Sequence, residues 1–150
     1  MKLWRLVRPG HEALDGAGAV RHGGRYTPPG VAVVPLGSEA GLAVLVALRY
    51  HAPDDPDDYR LGWVDVDASP EQVPADADEP AVRQQVAAWL NERRSLLLAM
   101  RSRVLPEAQV VLLNPAHLAA AKLDALTTRP FRFADCLHEP PMLGRFRSMP

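Results

Sequence analysis

Proline is the residue that most limits what this chain can fold into. The 150 residues include 15 prolines, which are distributed along nearly the whole length. Proline in the interior of a helix or a central strand removes a backbone hydrogen bond and disrupts the element. We therefore expect many short elements with abrupt ends rather than long helices. Because 47% of the residues are hydrophobic, the chain can bury one sizeable core, and residues 1–150 are expected to form one domain.

Apolar runs and turn residues predict strands and helices in mixed order. Strands are predicted at residues 1–7, 31–34, 59–66, 96–100, 110–113 and 131–135. Helices are predicted at residues 41–50, 81–94 and 115–126. This order mixes hairpin-like pairs with helices, and it favours an α+β fold over a regular doubly wound sheet.

Helix starts add detail to this prediction. Ser38 is expected to cap the first helix, with Glu39 in its first turn. That helix is apolar nearly all round, so we expect it to be central and packed on several sides. Asn114 is expected to cap the third helix, with Pro115 at its first position.

Charge and cysteine content exclude several kinds of protein. Seventeen Lys and Arg residues against 18 acidic ones give a net charge of -1, which does not favour direct nucleic-acid binding. One cysteine, Cys136, excludes an internal disulfide and a cysteine metal cluster. No apolar run reaches membrane-spanning length. We expect a cytoplasmic globular domain, with a tail at residues 140–150 that is partly flexible.

The stretch at residues 22–30, His-Gly-Gly-Arg-Tyr-Thr-Pro-Pro-Gly, is the strongest candidate for a binding loop. The two glycines allow a sharp turn and are expected to leave their N–H groups uncovered. The planar guanidinium of Arg25 suits two oxygens of a phosphate or carboxylate, and the ring of Tyr26 suits a flat base. A surface turn with a solvated arginine is the simpler alternative. Arg5, in the first strand, is either a second phosphate-facing arginine or an edge charge.

Several pieces of the chain, in order, resemble the RES domain family, the toxins of Xre–RES toxin–antitoxin systems. They are Trp4-Arg5, Gly23-Gly24-Arg25-Tyr26 with Pro29-Gly30, the apolar helix, Trp89-Leu90, Ser102 with Val104 and Pro106, Asn114-Pro115-Ala116-His117, and the stretch from Pro130-Phe131 to Asp135. Together they cover about residues 3–138.

The resemblance implies a mixed sheet with flanking helices, similar to ADP-ribosyltransferases, and a site that consumes NAD without a metal. Known members break the nicotinamide–ribose bond and pass ADP-ribose to phosphate, water or a protein. Arg25 matches the arginine of the family name and Ser102 its serine, so both are expected to be catalytic. The expected NAD-contacting residues are Arg5, Gly24, Arg25, Tyr26, Ser102 and Asn114. The expected partner is an Xre-type helix-turn-helix antitoxin, to which DNA binding would belong.

The family is named for an arginine, a glutamate and a serine, and this chain lacks the glutamate. The family glutamate, which would stabilise an oxocarbenium-like centre, falls on Val46, and a family tyrosine falls on Pro35. Loss of a placed charge costs on the order of 100- to 1000-fold in rate. We expect attenuated NAD cleavage; the alternative is an inactive RES-fold protein that binds an antitoxin or nucleotide without turnover. Glu39 is the nearest candidate acid for this role.

Other chemistries have weaker support. The histidines at 11, 22, 51, 117 and 138 lack metal-ligand spacing, and the acids of residues 52–58 lack that of a calcium loop. The glycines of residues 15–18 resemble a phosphate loop only weakly. A Ser102–His117–Asp135 triad, as in a small hydrolase, lacks a nucleophile elbow. Arg93, Arg94, Arg101 and Arg103 form either a solvated surface or a contact for an acidic partner.

Overall fold

The computed structural model describes residues 1–137 and shows one seven-stranded sheet within them. The strands are β1 (Lys2–Val7), β2 (Val34–Gly37), β3 (Tyr59–Asp65), β4 (Glu71–Gln72), β5 (Leu97–Arg101), β6 (Gln109–Leu113) and β7 (Thr127–Phe131). Their order across the sheet is β4-β5-β6-β2-β1-β3-β7. The tail predicted at residues 140–150, and His138, lie outside the described residues.

The sheet is mixed. β4 and β5 are parallel, and the other neighbouring strands in this part of the chain are antiparallel. The first strand lies in the interior, where all six residues of β1 pair with β3 and Trp4 pairs with Gly37 of β2. The α+β prediction is confirmed.

Within residues 1–137, three α-helices accompany the sheet. They are α1 (Ala17–His22), α2 (Ala40–Tyr50) and α3 (Glu79–Glu92). α3 begins where Asp78 Oδ1 accepts a hydrogen bond of 2.9 Å from the N–H of Ala81. It ends at Arg93, which has a left-handed conformation with a φ of 50°. The prediction for residues 81–94 is therefore confirmed to within two residues at either end. None of the helices in the described part is both long and apolar enough to span a bilayer.

Strand alternation divides the core between the two faces of the sheet. Leu97 and Ala99 belong to one buried cluster, together with Leu3 of β1, whereas Leu98 and Met100 belong to another. This separation follows from the two-residue period of a strand. The second cluster also contains Val82, Val86 and Trp89 of α3, so that helix covers the end of the sheet formed by β5 and β6.

Three predictions for α2 and the segment before it are wrong. The strand expected at residues 31–34 begins only at Val34. The hydroxyl of Ser38 does not cap the helix, because it accepts a hydrogen bond of 2.9 Å from the N–H of Gln109. α2 is also not central: of its residues only Leu42 and Ala43 are buried, whereas Leu45, Leu48 and Tyr50 are exposed.

Two further corrections concern the C-terminal third. In place of a helix over residues 115–126 there is a single 3-10 helix at Leu118–Lys122. The last strand is Thr127–Phe131, and much of the stretch predicted as strand at 131–135 forms a second 3-10 helix, Phe133–Cys136. Asp57 determines this turn, since its carboxylate accepts hydrogen bonds from the N–H groups of Phe133 and Ala134.

Candidate functional site

The loop at residues 23–30 is a compact turn fixed to α1. The N–H of Gly23 donates to the carbonyl of Ala19 at 2.7 Å, and the N–H of Gly24 donates to the carbonyl of Thr27 at 2.9 Å. The expectation that these glycines leave their N–H groups uncovered is therefore wrong. Gly23 has a φ of 68°, and a Cβ there would lie 2.9 Å from Cδ of Pro29. Only glycine fits this position without strain.

A groove of about 520 Å³ lies between this loop and α3. Residues 22–29 and Val31 line it on one side, and Arg83, Ala87, Leu90 and Asn91 of α3 line it on the other. Arg25 and Tyr26 are both half-buried in its wall, and Tyr26 also packs against the cluster that contains Trp89. An arginine and an aromatic ring thus face the same space, which we call the loop groove.

Glu79, the first residue of α3, lies among three arginines. Its Oε1 is 2.7 Å from Nη2 of Arg83, and its Oε2 is 3.5 Å from Nε of Arg25 and 3.3 Å from Nη1 of Arg103. Arg83 also donates from Nε to the carbonyl of Arg25 at 3.0 Å, which holds the loop on the helix. Arg103 directly follows Ser102 in the chain. Through Glu79, the segment that contains Ser102 therefore lies close to Arg25, the other predicted catalytic residue.

Ser102 and Asn114 lie under the surface rather than in the groove wall. Ser102 is 2% exposed, and its hydroxyl accepts hydrogen bonds from the N–H groups of Val104 at 3.2 Å and Leu105 at 3.1 Å. Asn114 is 1% exposed; its Oδ1 accepts from the N–H of Ala116 and its Nδ2 donates to the carbonyl of Leu90. In this arrangement both side chains hold turns, and their contact with NAD stays a prediction.

Arg5 faces a second groove of about 410 Å³, the Arg5 groove, which also includes Asp15, Gly18 and Arg21. Burial lowers the pKa of the Arg5 guanidinium, and the charge of Asp15 offsets part of that effect. His22 lines this groove and the loop groove, so the two adjoin at the end of α1. Arg5 is thus an inward-facing cation rather than the edge charge of the simpler interpretation.

Val46 and Pro35, two of the positions that depart from the family pattern, do not contribute to a groove. Val46 is a half-buried residue of α2, and Pro35 is an exposed residue of β2 paired with Leu112. Neither lines the loop groove or the Arg5 groove. Glu39, the acid suggested from the sequence, is exposed at the start of α2, whereas Glu79 is the acid that contacts Arg25.

The alternative chemistries gain no geometric support. The hydroxyl of Ser102 is bonded to backbone amides, Nδ1 of His117 accepts from the N–H of Ala119, and Asp135 pairs with Arg132. These contacts do not form a triad. Among residues 1–137, no group of three His, Cys, Asp or Glu residues is arranged to hold a metal ion.

Sequence reasoning missed Glu79 and Arg83. Their spacing of four residues at the start of α3 is that of a helical ion pair, and this signal was present in the sequence. It indicates only a surface pair. The contact of both residues with Arg25, more than fifty positions earlier in the chain, depends on how α3 packs beside the loop.

Three similarities to known proteins bear on this site. A protein-family model described as "RES domain" matches residues 2–134. The Prs ADP-ribosylating toxin of Sphingobium sp. (strain YBL2) is 32% identical over 162 aligned residues, which cover 95% of this chain and 97% of that protein. A chain in the crystal structure of the M. tuberculosis MbcT–MbcA toxin–antitoxin complex has the same fold, with a TM-score of 0.67 at 18% identity over 89% of this chain and 85% of that one. With the RES model spanning nearly the whole described chain, this protein belongs to the RES domain family.

Proposed function

We propose that this protein is the toxin of a toxin–antitoxin system and that it depletes NAD by cleaving the nicotinamide–ribose bond. The observation that carries the proposal is the position of Arg25, the arginine of the family name, in the wall of a groove that also presents Tyr26. The 32% identity to an ADP-ribosylating toxin over almost the full length supports the same reaction class.

The groove residues suit different parts of NAD. The guanidinium of Arg25 offers a planar fork for the diphosphate, and the ring of Tyr26 offers a face for a flat base. Arg5 provides a further cation in the adjoining groove. When nicotinamide leaves, positive charge develops on the ribose, and phosphate or water attacks that carbon. Val46 cannot stabilise this charge, so we expect slow turnover.

The biological setting follows from the family. We propose an Xre-type helix-turn-helix antitoxin as the partner, with DNA contact made by that partner rather than by this chain. The structural similarity to a chain of a toxin–antitoxin complex supports an antitoxin partner. The reaction would take place in the cytoplasm, because that compartment holds the NAD on which growth depends.

A second candidate function is binding without turnover. Three observations favour it: Val46 is apolar, Arg25 is engaged by Glu79, and the hydroxyl of Ser102 already accepts two backbone hydrogen bonds. In that case the chain would retain the antitoxin contact or bind a nucleotide, and it would release no nicotinamide.

Nicotinamide release from NAD by the purified protein tests these alternatives. The wild type, Val46→Glu and Arg25→Ala would be compared with and without inorganic phosphate. Val46 lines neither groove, so Val46→Glu is expected to increase the rate by about 100- to 1000-fold only if the ribose of bound NAD lies close to α2. Arg25→Ala is expected to abolish the nicotinamide release of the wild type. Stimulation by phosphate would indicate phosphorolysis. If neither the wild type nor Val46→Glu releases nicotinamide while both bind the antitoxin, the enzymatic proposal is wrong and the binding function stands.

A further inference from the structure

The bonds that Glu79 makes to its three arginines are unequal. Only Arg83 donates a hydrogen bond to it, at 2.7 Å. The contacts with Arg25 and Arg103, at 3.5 and 3.3 Å, are ion pairs in which the guanidinium groups donate no hydrogen bond to the carboxylate. Charge therefore holds Arg25 and Arg103 near Glu79, and their guanidinium N–H groups donate no hydrogen bond to its carboxylate.

The cluster also carries unbalanced charge. One carboxylate faces three guanidinium groups, so two positive charges remain after Glu79 is counted. The side chains are 27% exposed for Glu79 and between 33% and 57% exposed for the arginines, so the donors remain accessible to a ligand. Guanidinium groups bind the oxygens of phosphates through paired hydrogen bonds.

From this geometry we propose that Arg25 and Arg103 together bind the diphosphate of a nucleoside diphosphate compound, and that Glu79 competes with that diphosphate for them. Arg83 keeps Glu79 in place through its hydrogen bond and ties the loop to α3. The inference rests on the proposed function, since it names the groups that hold the diphosphate of the same NAD-type ligand. It adds Arg103 as a binding residue and Glu79 as an internal competitor.

Glu79 fits a competitor better than a replacement for the missing family glutamate. A carboxylate that contacts three guanidinium groups is already compensated, and its ability to stabilise a further cation is reduced. An incoming diphosphate, in contrast, meets a like charge on the oxygen that contacts Arg25 and Arg103. Removal of that charge is therefore expected to strengthen ligand binding.

The test is calorimetric titration with ADP, which carries the diphosphate and has no bond to nicotinamide. Glu79→Gln retains the length of the side chain and an oxygen for Arg83, and we expect it to bind ADP about ten-fold more tightly than the wild type. Glu71→Gln is the matched control, because Glu71 is also a half-buried glutamate paired with an arginine, Arg94. It is expected to leave the affinity unchanged.

A second variant keeps the inference testable should Glu79→Gln fold poorly. Arg103→Gln alters an exposed side chain and is expected to weaken ADP binding about ten-fold. Equal or weaker binding by a folded Glu79→Gln, no effect of Arg103→Gln, or no ADP binding by any variant would overturn the inference. NAD cleavage by Val46→Glu without ADP binding would leave the proposed function intact, whereas the expected ADP affinities without any cleavage would contradict only the enzymatic proposal.

Discussion

The side chain of Arg83 holds the backbone of Arg25, through a hydrogen bond of 3.0 Å from its Nε to the Arg25 carbonyl. This bond fixes the loop at residues 23–30 on a helix that begins 54 residues later in the chain. The orientation of Arg25 in the groove therefore depends on α3 as well as on the loop's own glycines.

Arg83→Met is expected to loosen the loop. The variant retains most of the apolar stem but loses the bonds to Arg25 and Glu79, so we expect a loss of about 1 kcal/mol in unfolding free energy. Hydrogen–deuterium exchange should become faster in residues 23–30. The control is Arg49→Met in α2. The side chain of Arg49 is exposed and makes no hydrogen bond or ion pair within residues 1–137. Unchanged exchange in the loop would show that the Arg83 bond is not needed to hold it.

Gly23→Ala should destabilise the protein. A Cβ at this position meets Pro29 at 2.9 Å, and the φ of 68° is unfavourable for alanine. We expect a cost of about 1–3 kcal/mol, measured by denaturant unfolding. Gly41→Ala is the matched control, since no atom lies within 4 Å of a Cβ built there in helix α2. That change should stabilise the protein by about 0.5–1 kcal/mol.

The loop shows how far the sequence predicts this structure. The glycines, Arg25 and Tyr26 were identifiable because their chemistry is local. β1, β3 and α3 were also identifiable, α3 from its helical periodicity. The exposure of α2 was not predicted, because apolar residues on every side are typical of a buried helix, whereas Leu45, Leu48 and Tyr50 are exposed. The 3-10 helix at Phe133–Cys136 replaced much of a predicted strand because a distant partner determines it: the carboxylate of Asp57 accepts from the N–H of Phe133, 76 residues away. The 3-10 helix at Leu118–Lys122 begins at His117, whose ring accepts from the N–H of Ala119.

Ser102→Ala tests a structural role for the predicted catalytic serine. The substitution leaves the N–H groups of Val104 and Leu105 without their acceptor in a position that is 2% exposed. We expect a loss of about 1–3 kcal/mol in unfolding free energy. Ser69→Ala, in an exposed connection, should have little effect. Suppose that Ser102→Ala unfolds like the wild type, but that adding it to the Val46→Glu protein reduces nicotinamide release. In that case the hydroxyl acts on the substrate instead.

Asp57 should make the free energy of unfolding depend on pH in the acidic range. Hydrogen bonds from the N–H groups of Ala134 and Phe133, together with the charges of His51 and Arg132, hold the pKa of this carboxyl below its ordinary value. A depressed pKa in the folded state contributes stability above the pKa of the unfolded chain, near pH 4, and that contribution is lost as the pH falls through the folded value. Asp57→Asn should therefore be less stable than the wild type at pH 7, and the difference should shrink below about pH 4. Asp54→Asn, at an exposed position of the same loop, is the control; a difference that stays constant with pH would contradict the prediction.

The strand order has a consequence for synthesis of the protein on the ribosome. The first 65 residues supply β2, β1 and β3, which form the middle of the sheet, and later residues extend it at both edges. α3 packs on β5 and β6, and β6 joins this unit to β2 at residues 109–113. The loop and α3 can therefore meet only after about three quarters of the chain has emerged. Products that end before β6 is complete are therefore expected to lack the groove.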